Sequence, residues 1–247
     1  ESLNMWNVCN LPKTYGAKVA VNNISFKVKQ GEIVGFLGPN GAGKSTTMKM
    51  LVGYLTPTSG DILIKNEPLQ ENKIEIQNNL GYLPEGAPAY SEMKVKSFLN
   101  FIAEIRGLRG IEKQTSIAEV IEKTNLKSVI NENIEFLSKG FKRRVGLAQA
   151  IIHDPQILIL DEPTDGLDPN QKNEVRKLIN NMAKDKIIIL STHILEEVEA
   201  LCNRTIIISD GEIVVDSTPL ELMESEEGFS SLEDVFRAKT ITQQEVG

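Results

Sequence analysis

The chain has 247 residues, of which 40% are hydrophobic and 25% charged, with a formal net charge of −7. That length can bury the core of one domain, or of one domain with a subdomain, and the composition is that of an ordinary globular protein. The acidic balance argues against a large nucleic-acid surface, which needs a basic face, so no nucleic-acid partner is expected.

Three strand-like segments are predicted over 5–11, 19–28 and 32–37. Ile24, Phe26 and Val28 alternate with polar neighbours, the pattern of a half-buried antiparallel strand. Tyr15 precedes Gly16 in a predicted loop before the second strand. It reads either as an ordinary loop tyrosine or as a flat apolar surface for stacking a base.

The third segment, Ile33-Val34-Gly35-Phe36-Leu37, is apolar throughout and runs into Gly38-Pro39-Asn40-Gly41-Ala42-Gly43-Lys44-Ser45-Thr46. A helix is predicted from Thr47. A glycine, four residues and then Gly-Lys-Ser between a strand and a helix is the phosphate-loop spacing. Glycines let successive N–H groups turn inward as an anion nest, and the helix start adds free N–H groups and a positive dipole end. Lys44 is placed to reach the β- and γ-phosphates, and the Ser45 hydroxyl to ligate Mg²⁺. These residues predict binding of a nucleoside triphosphate.

Pro57-Thr58-Ser59-Gly60-Asp61 is a turn cluster, Ile62-Leu63-Ile64 a short strand, and the polar, asparagine-rich 66–79 a surface excursion. Leu80-Gly81-Tyr82-Leu83 reads as a strand ended by Pro84. From about residue 91 to 133 the pattern turns helical. Val95, Phe98, Leu99, Ile102 and Ile105 recur at three- and four-residue spacing, and Ile117, Val120, Ile121 and Leu126 mark a second helix. A further helix opens at Ser138, well placed as an N-cap. Its basic cluster, Lys142-Arg143-Arg144, reads either as a solvated face or as a phosphate contact at a helix start.

Ile157-Leu158-Ile159-Leu160 is a continuous apolar run that delivers Asp161 and Glu162 at its carboxyl end, where ligands bind in parallel sheets. Asp161 is the candidate Mg²⁺-shell acid and Glu162 the candidate base that orients or deprotonates water. A helix over 169–184 leads to a second buried run, Ile187-Ile188-Ile189-Leu190, ending near His193; His153 reads as a helix-end residue. Helix, two strands around Asp210-Gly211 and a polar helical tail over about 218–247 complete the chain.

No apolar run approaches the roughly 18–20 residues that span a bilayer, and Glu1-Ser2-Leu3-Asn4 lacks the basic flank of a signal peptide. Cys9 and Cys202 have neither metal-ligand spacing nor a disulfide framework, and read as small buried hydrophobes. A cytoplasmic location is expected, with any membrane connection made through a partner.

Together these residues resemble the nucleotide-binding subunit of ATP-binding-cassette (ABC) transporters over nearly the whole chain. The specific features are Leu137-Ser138-Lys139-Gly140-Phe141, similar to the family signature, shortly before Asp161-Glu162, similar to its Walker B strand. Gly166-Leu167-Asp168 is similar to the D-loop, His193 to the switch histidine and Tyr15 to the adenine-stacking aromatic.

The resemblance implies an α/β fold: a P-loop NTPase core with a parallel sheet, an N-terminal antiparallel β subdomain and a helical subdomain inserted at about 91–153. It implies an ATP hydrolase using ATP and Mg²⁺, in which two cassettes, identical or paralogous, dimerise head to tail. Ser138, Lys139 and Gly140 would then meet the partner's γ-phosphate, Asp168 would communicate across the interface, and His193 would hold the γ-phosphate beside Glu162. The membrane partner is an integral permease, docked around residues 85–93 and the helical insertion, and the subunit would sit peripherally on the inner face of the membrane.

Two departures stand out. Glu85 occupies the place of the usual Gln, where its carboxylate would approach Mg²⁺, and Lys139 and Phe141 replace the usual Gly and Gln of the signature. Leu83-Pro84-Glu85 with a lysine-containing signature looks like the branch serving ABC-2-type exporters, including multidrug and gliding-motility types. The competing expectation is a non-transport ABC ATPase, for example in cofactor assembly. Translation types pair two cassettes in one chain, and repair types carry long coiled-coil insertions. An ATP sensor without turnover is disfavoured by intact Glu162 and His193.

Overall fold

The computed structural model describes residues 5–64, 66–86, 90–225 and 232–241. The expectations placed on Glu1–4, on 87–89 of the docking segment, and on 226–231 and 242–247 of the tail lie outside the described residues. Strands β1 (Met5–Tyr15) and β2 (Lys18–Lys29) form an antiparallel hairpin. In β2, Ile24, Phe26 and Val28 are buried while the residues between them are exposed, as a two-residue period requires when one face is covered. The chain then crosses into a second sheet as β3 (Ile33–Leu37), turns into helix α1 (Lys44–Leu51), and returns as β4 (Asp61–Ile64) and β5 (Glu67–Pro68). These complete a four-stranded antiparallel sheet of order β2-β1-β4-β5.

Helix α2 (Lys73–Asn78) leads to β6 (Leu80–Leu83), followed by helices α3 (Val95–Ile105), α4 (Gly110–Lys123) and α5 (Lys139–Ile151). The chain re-enters the second sheet as β7 (Ile157–Asp161), passes through α6 (Pro169–Met182), and continues as β8 (Ile187–Thr192) and α7 (Leu195–Leu201). Strands β9 (Arg204–Ser209) and β10 (Glu212–Ser217) precede helices α8 (Pro219–Ser225) and α9 (Leu232–Ile241). The six strands lie in the order β10-β9-β3-β8-β7-β6, all parallel except β10. The fold is therefore the expected α/β class, with a parallel core, an antiparallel β sheet and helices between β6 and β7.

Every residue of β3, β7 and β8 is buried, because the sheet is covered on both faces. Alternate side chains feed two cores. Ile33, Leu37, Leu158, Leu160, Ile188 and Leu190 pack on the face that carries the helices from α3 to α6. Val34, Phe36, Ile157, Ile159, Ile187 and Ile189 face Trp6, Val8, Phe26 and Met48 in the space between the two sheets. Burying each such aliphatic side chain contributes about 1.5–3 kcal/mol before chain entropy is subtracted. The carboxyl ends of β3, β7 and β8 thus come together with their side chains fixed.

Several elements differ from the sequence reading. Residues 66–79 are not a plain surface excursion: they contain β5 and α2, and Leu69 and Ile76 are buried beneath them. Two apolar anchors among many polar residues are enough to seat a short helix, and no periodicity in the sequence exposes them. Tyr15 is not in a loop but ends β1, opposite Lys18. Cys202 packs beside Gly35 with its thiol pKa pushed up by burial, whereas Cys9 is only partly buried.

Helix α7 is held to α6 by a buried carboxylate: Glu197, 1% exposed, accepts from Arg176 Nη2 at 2.7 Å. This fixes the segment that follows β8 and carries His193. No helix among the described residues is long and apolar enough to cross a membrane.

His153 lies just beyond α5, partly buried, with Nε2 3.3 Å from the Leu80 carbonyl. Since a carbonyl only accepts, the proton sits on Nε2. Burial, reinforced by nearby Arg106, lowers its pKa from 6.5 to about 4. The folded state therefore binds a proton less readily than the unfolded chain, so this contribution is complete above the unfolded pKa. It is lost as pH falls through 6.5 towards about 4, up to about 3 kcal/mol in all. His153→Gln is expected to flatten the loss of stability across that window, measured as urea midpoints at successive pH values.

Candidate active site

The loop between β3 and α1 is shaped by backbone that side chains would block. Gly43 caps α1 at φ 107°, and a Cβ there would stand 2.6 Å from the Ala20 carbonyl. Only glycine accepts that combination. The Thr47 hydroxyl donates to the Gly43 carbonyl at 2.9 Å, and the Ala42 N–H to the Pro39 carbonyl at 3.2 Å. Both bonds brace the turn. Lys44 is buried, and its Nζ donates to the carbonyls of Gly38 at 2.6 Å and Pro39 at 3.1 Å. Burial pushes its pKa below the ordinary lysine range, while the carboxylates of Glu162, Asp161 and Glu85 push back.

A cleft of about 330 Å³ opens above this loop. It is lined by Asn40, Gly41, Gly43, Lys44, Ser45 and Thr46, by Tyr15, Lys18 and Ala20 of the hairpin, and by Glu85 and Glu162. Tyr15 is half exposed, with the Lys13 ammonium 5.4 Å from its ring centroid. Lys18 and Ala20 escaped the sequence reading, since nothing in a hairpin's pattern says that its turn leans over a loop twenty residues away. A smaller cavity of about 130 Å³, lined in part by Ile64, Ile76, Ile157 and Ile187, lies near the opposite ends of the strands and contains none of these groups.

Asp161 ends β7 and is 1% exposed. Its Oδ1 accepts a short hydrogen bond from the Ser191 hydroxyl on the neighbouring strand β8, while its Oδ2 is buried with no hydrogen-bond partner among the described residues. A buried carboxylate oxygen without a donor is costly unless something cationic completes it. The Ser45 hydroxyl and the Glu85 carboxylate line the cleft, and Asp161 ends the strand that delivers Glu162 to it; all three offer hard oxygens, which suit a small divalent cation. Ser191 was not anticipated. The parallel register that pairs it with Asp161 was the only signal, and that register is tertiary.

Glu162 follows in a left-handed conformation, φ 51°, its N–H bonded to the Ser191 carbonyl at 3.0 Å. Such a conformation costs about 1 kcal/mol for a non-glycine residue and turns the side chain out of the strand direction. Glu162 Oε1 lies 2.9 Å from His193 Nδ1. An ionised carboxylate only accepts, so Nδ1 carries the proton in this contact. The structure thus brings Lys44, Asp161, Glu162 and His193 to one end of the sheet.

The other predicted site residues stand apart from the cleft. Ser138 caps α5, its hydroxyl accepting from the Phe141 N–H at 3.4 Å. Lys139, expected to offer its cation to a partner's phosphate, is ion-paired with Asp165 of its own chain at 2.8 Å. Its stem lies across Gly166, where a Cβ would stand 2.6 Å from Lys139 Cδ. Gly140 sits equally close to α6: a Cβ there would be 2.8 Å from Gln171 Oε1. Asp168 closes a capping box on α6, its Oδ1 accepting from the Gln171 N–H at 2.9 Å. The basic cluster is not a solvated face. Arg143 and Arg144 are buried, with Arg144 paired to Glu174 at 3.1 Å and lying 5.6 Å from the centre of the Phe141 ring.

The family model described as "ABC transporter" matches residues 21–165. The chain is 42% identical over 207 residues to the bacitracin transport ATP-binding protein BcrA of Bacillus licheniformis, covering 83% of this chain and 67% of that one. It is 37% identical over 225 residues to the Nod factor export ATP-binding protein I of Burkholderia orbicola, covering 91% and 74%. Among solved structures, an ATP-binding subunit of an ABC transporter superposes with a TM-score of 0.87 at 29% identity, covering 95% of this chain and 99% of that one.

Replacing Asp168 by Ala removes the acceptor that closes the first turn of α6. A loss of about 1 kcal/mol is expected, read as a lower urea midpoint with an unchanged slope.

Proposed function

From its membership of the ABC transporter family, as an ATP-binding subunit that hydrolyses ATP, we propose that this chain powers export through a separate integral membrane permease. In this reading two copies, or one copy and a paralogue, close head to tail on two ATP molecules. One observation carries it: among the described residues the cleft is lined by the phosphate loop, the hairpin, Glu85 and Glu162, while Ser138, Lys139 and Gly140 lie outside it. The cleft and the capped start of α5 are two separate parts of the chain, and in this reading a second copy joins them. The names of the bacitracin and Nod factor relatives support transport and export respectively.

Within the cleft, Lys44 would exchange the Gly38 and Pro39 carbonyls for the β- and γ-phosphates, at little cost because its donors are already desolvated. Tyr15 would stack on the adenine. Bound Mg²⁺ would neutralise phosphate charge, held by Ser45 and Asp161 Oδ2, with Glu85 close by. Glu162 is the base that orients the attacking water and takes its proton, and His193 positions Glu162 through Nδ1 while facing the γ-phosphate. Lys139 would give up Asp165 when the partner's phosphate arrives, and Asp168 would sit at the seam. Localisation on the inner face of the membrane follows from the permease and not from any segment described here.

Glu162→Gln is expected to lower ATP turnover at least 100-fold while ATP binding and ATP-induced dimerisation persist, followed by phosphate release and by light scattering. Near-normal hydrolysis would remove Glu162 from this role. Lys44→Ala is expected to weaken ATP binding itself at least tenfold by titration calorimetry. In wild-type protein, activity should require Mg²⁺ and rise more than linearly with protein concentration; strict proportionality would contradict a composite site.

A further inference from the structure

Arg143 is the least explained charge in the molecule. It lies on the face of α5 shared by Gly140 and Leu147, is 6% exposed, and stands one turn from the helix start. Its Nη1 donates across to the segment after β6: to the Pro84 carbonyl at 2.7 Å and to the Gly86 carbonyl at 3.4 Å. These two carbonyls flank Glu85, the residue that replaces the family's usual glutamine. Nε and Nη2 are buried without a hydrogen-bond partner among the described residues.

A side chain kept only for stability would not look like this. Burying a guanidinium with two unsatisfied donors costs several kcal/mol, and an apolar side chain of similar length fills the same space without that penalty. Desolvation depresses its pKa, and only the surrounding carboxylates of Asp161, Asp165, Glu162 and Glu85 offset this. The geometry has one specific product: a single guanidinium nitrogen, carried on the helix that begins at Ser138, fastened to the backbone on both sides of Glu85.

We propose that Arg143 is a positioning residue, clamping the Pro84 and Gly86 carbonyls so that the Glu85 carboxylate is held in the nucleotide cleft in step with helix α5. Movement of α5, when its N-terminal turn engages a nucleotide, is passed through this clamp to Glu85. The inference rests on the reading of the cleft as an ATP-hydrolysing site, and its test separates the two.

The first arm needs no nucleotide. A glutamate-specific protease is applied to the full chain, and cleavage of the Glu85–Gly86 bond is timed by mass spectrometry. Arg143→Gln is expected to speed that cleavage about tenfold and leave cuts elsewhere at wild-type rates, with Arg143→Lys, which keeps a cationic donor on a shorter and non-planar side chain, in between. Unchanged cleavage at Glu85, or acceleration at every site alike, would overturn the clamp; should Arg143→Gln not fold, Arg143→Lys carries this arm.

The second arm is a cycle of ATP turnover for Glu85→Gln, Arg143→Gln (or Arg143→Lys) and the double variant. The double variant is expected to be no slower than the slower single one, because an unclamped Glu85 has already lost its placement. Losses that multiply would show independent residues and sink the proposal. Absence of turnover in wild-type protein would instead strike the underlying reading, while the protease arm would still judge the clamp.

Discussion

A buried ammonium group whose only bonds are to carbonyls is expensive to fold, and the nucleotide end of the sheet is arranged around one. Lys44 is desolvated between β3 and α1, bonded to Gly38 and Pro39, with three carboxylates close enough to oppose the lowering of its pKa. Two of those acids, Asp161 and Glu162, arrive on β7, and the strands that place them are buried on both faces. The cation and the acids cannot relax away from one another without breaking two hydrophobic cores. Their charges are therefore held in a fixed arrangement in advance, the condition under which electrostatic interactions in a site are strongest.

The same arrangement poses a problem for an anionic ligand. A triphosphate entering the cleft approaches Glu85, Asp161 and Glu162 as well as Lys44. Among the described residues Asp161 is a buried acid with Oδ1 committed to Ser191 and Oδ2 without a hydrogen-bond partner. That is the disposition a divalent cation requires if it is to reconcile phosphates with carboxylates. Glu162, in its left-handed turn just past β7, is steered away from this pair and towards His193, so that two adjacent acids at the end of one strand are given different surroundings.

Helix α5 connects this region to the rest of the molecule. Its first turn is capped by Ser138, pressed against Gly166 and α6 through Lys139 and Gly140, and bonded to the segment after β6 by Arg143. A helix start so tightly fitted on three sides does not move without moving its neighbours, since packed interiors transmit displacement and do not absorb it. This gives a physical path between the Ser138 turn and the residues around the cleft.

Much of this was legible in the residues alone. The phosphate loop is local chemistry, with glycines, lysine and serine at fixed spacing between a strand and a helix, and the continuous apolar runs before Asp161 and His193 announced central parallel strands. The charge of Arg143 argued for solvent or a phosphate, and its burial on α5 was not legible in the residues. What the chain order could not reveal were relations across elements: Ser191 against Asp161, Lys18 over a loop beyond the next strand, Lys139 on Asp165, Arg143 on either side of Glu85. Each depends on strand register or on how closely a helix approaches a loop. The sequence by itself determined the residue types and the local conformations that need them. Only the tertiary structure decided which charges stand unpaired and which backbone they hold, because burial and distance, on which those energies depend, are properties of the packed whole.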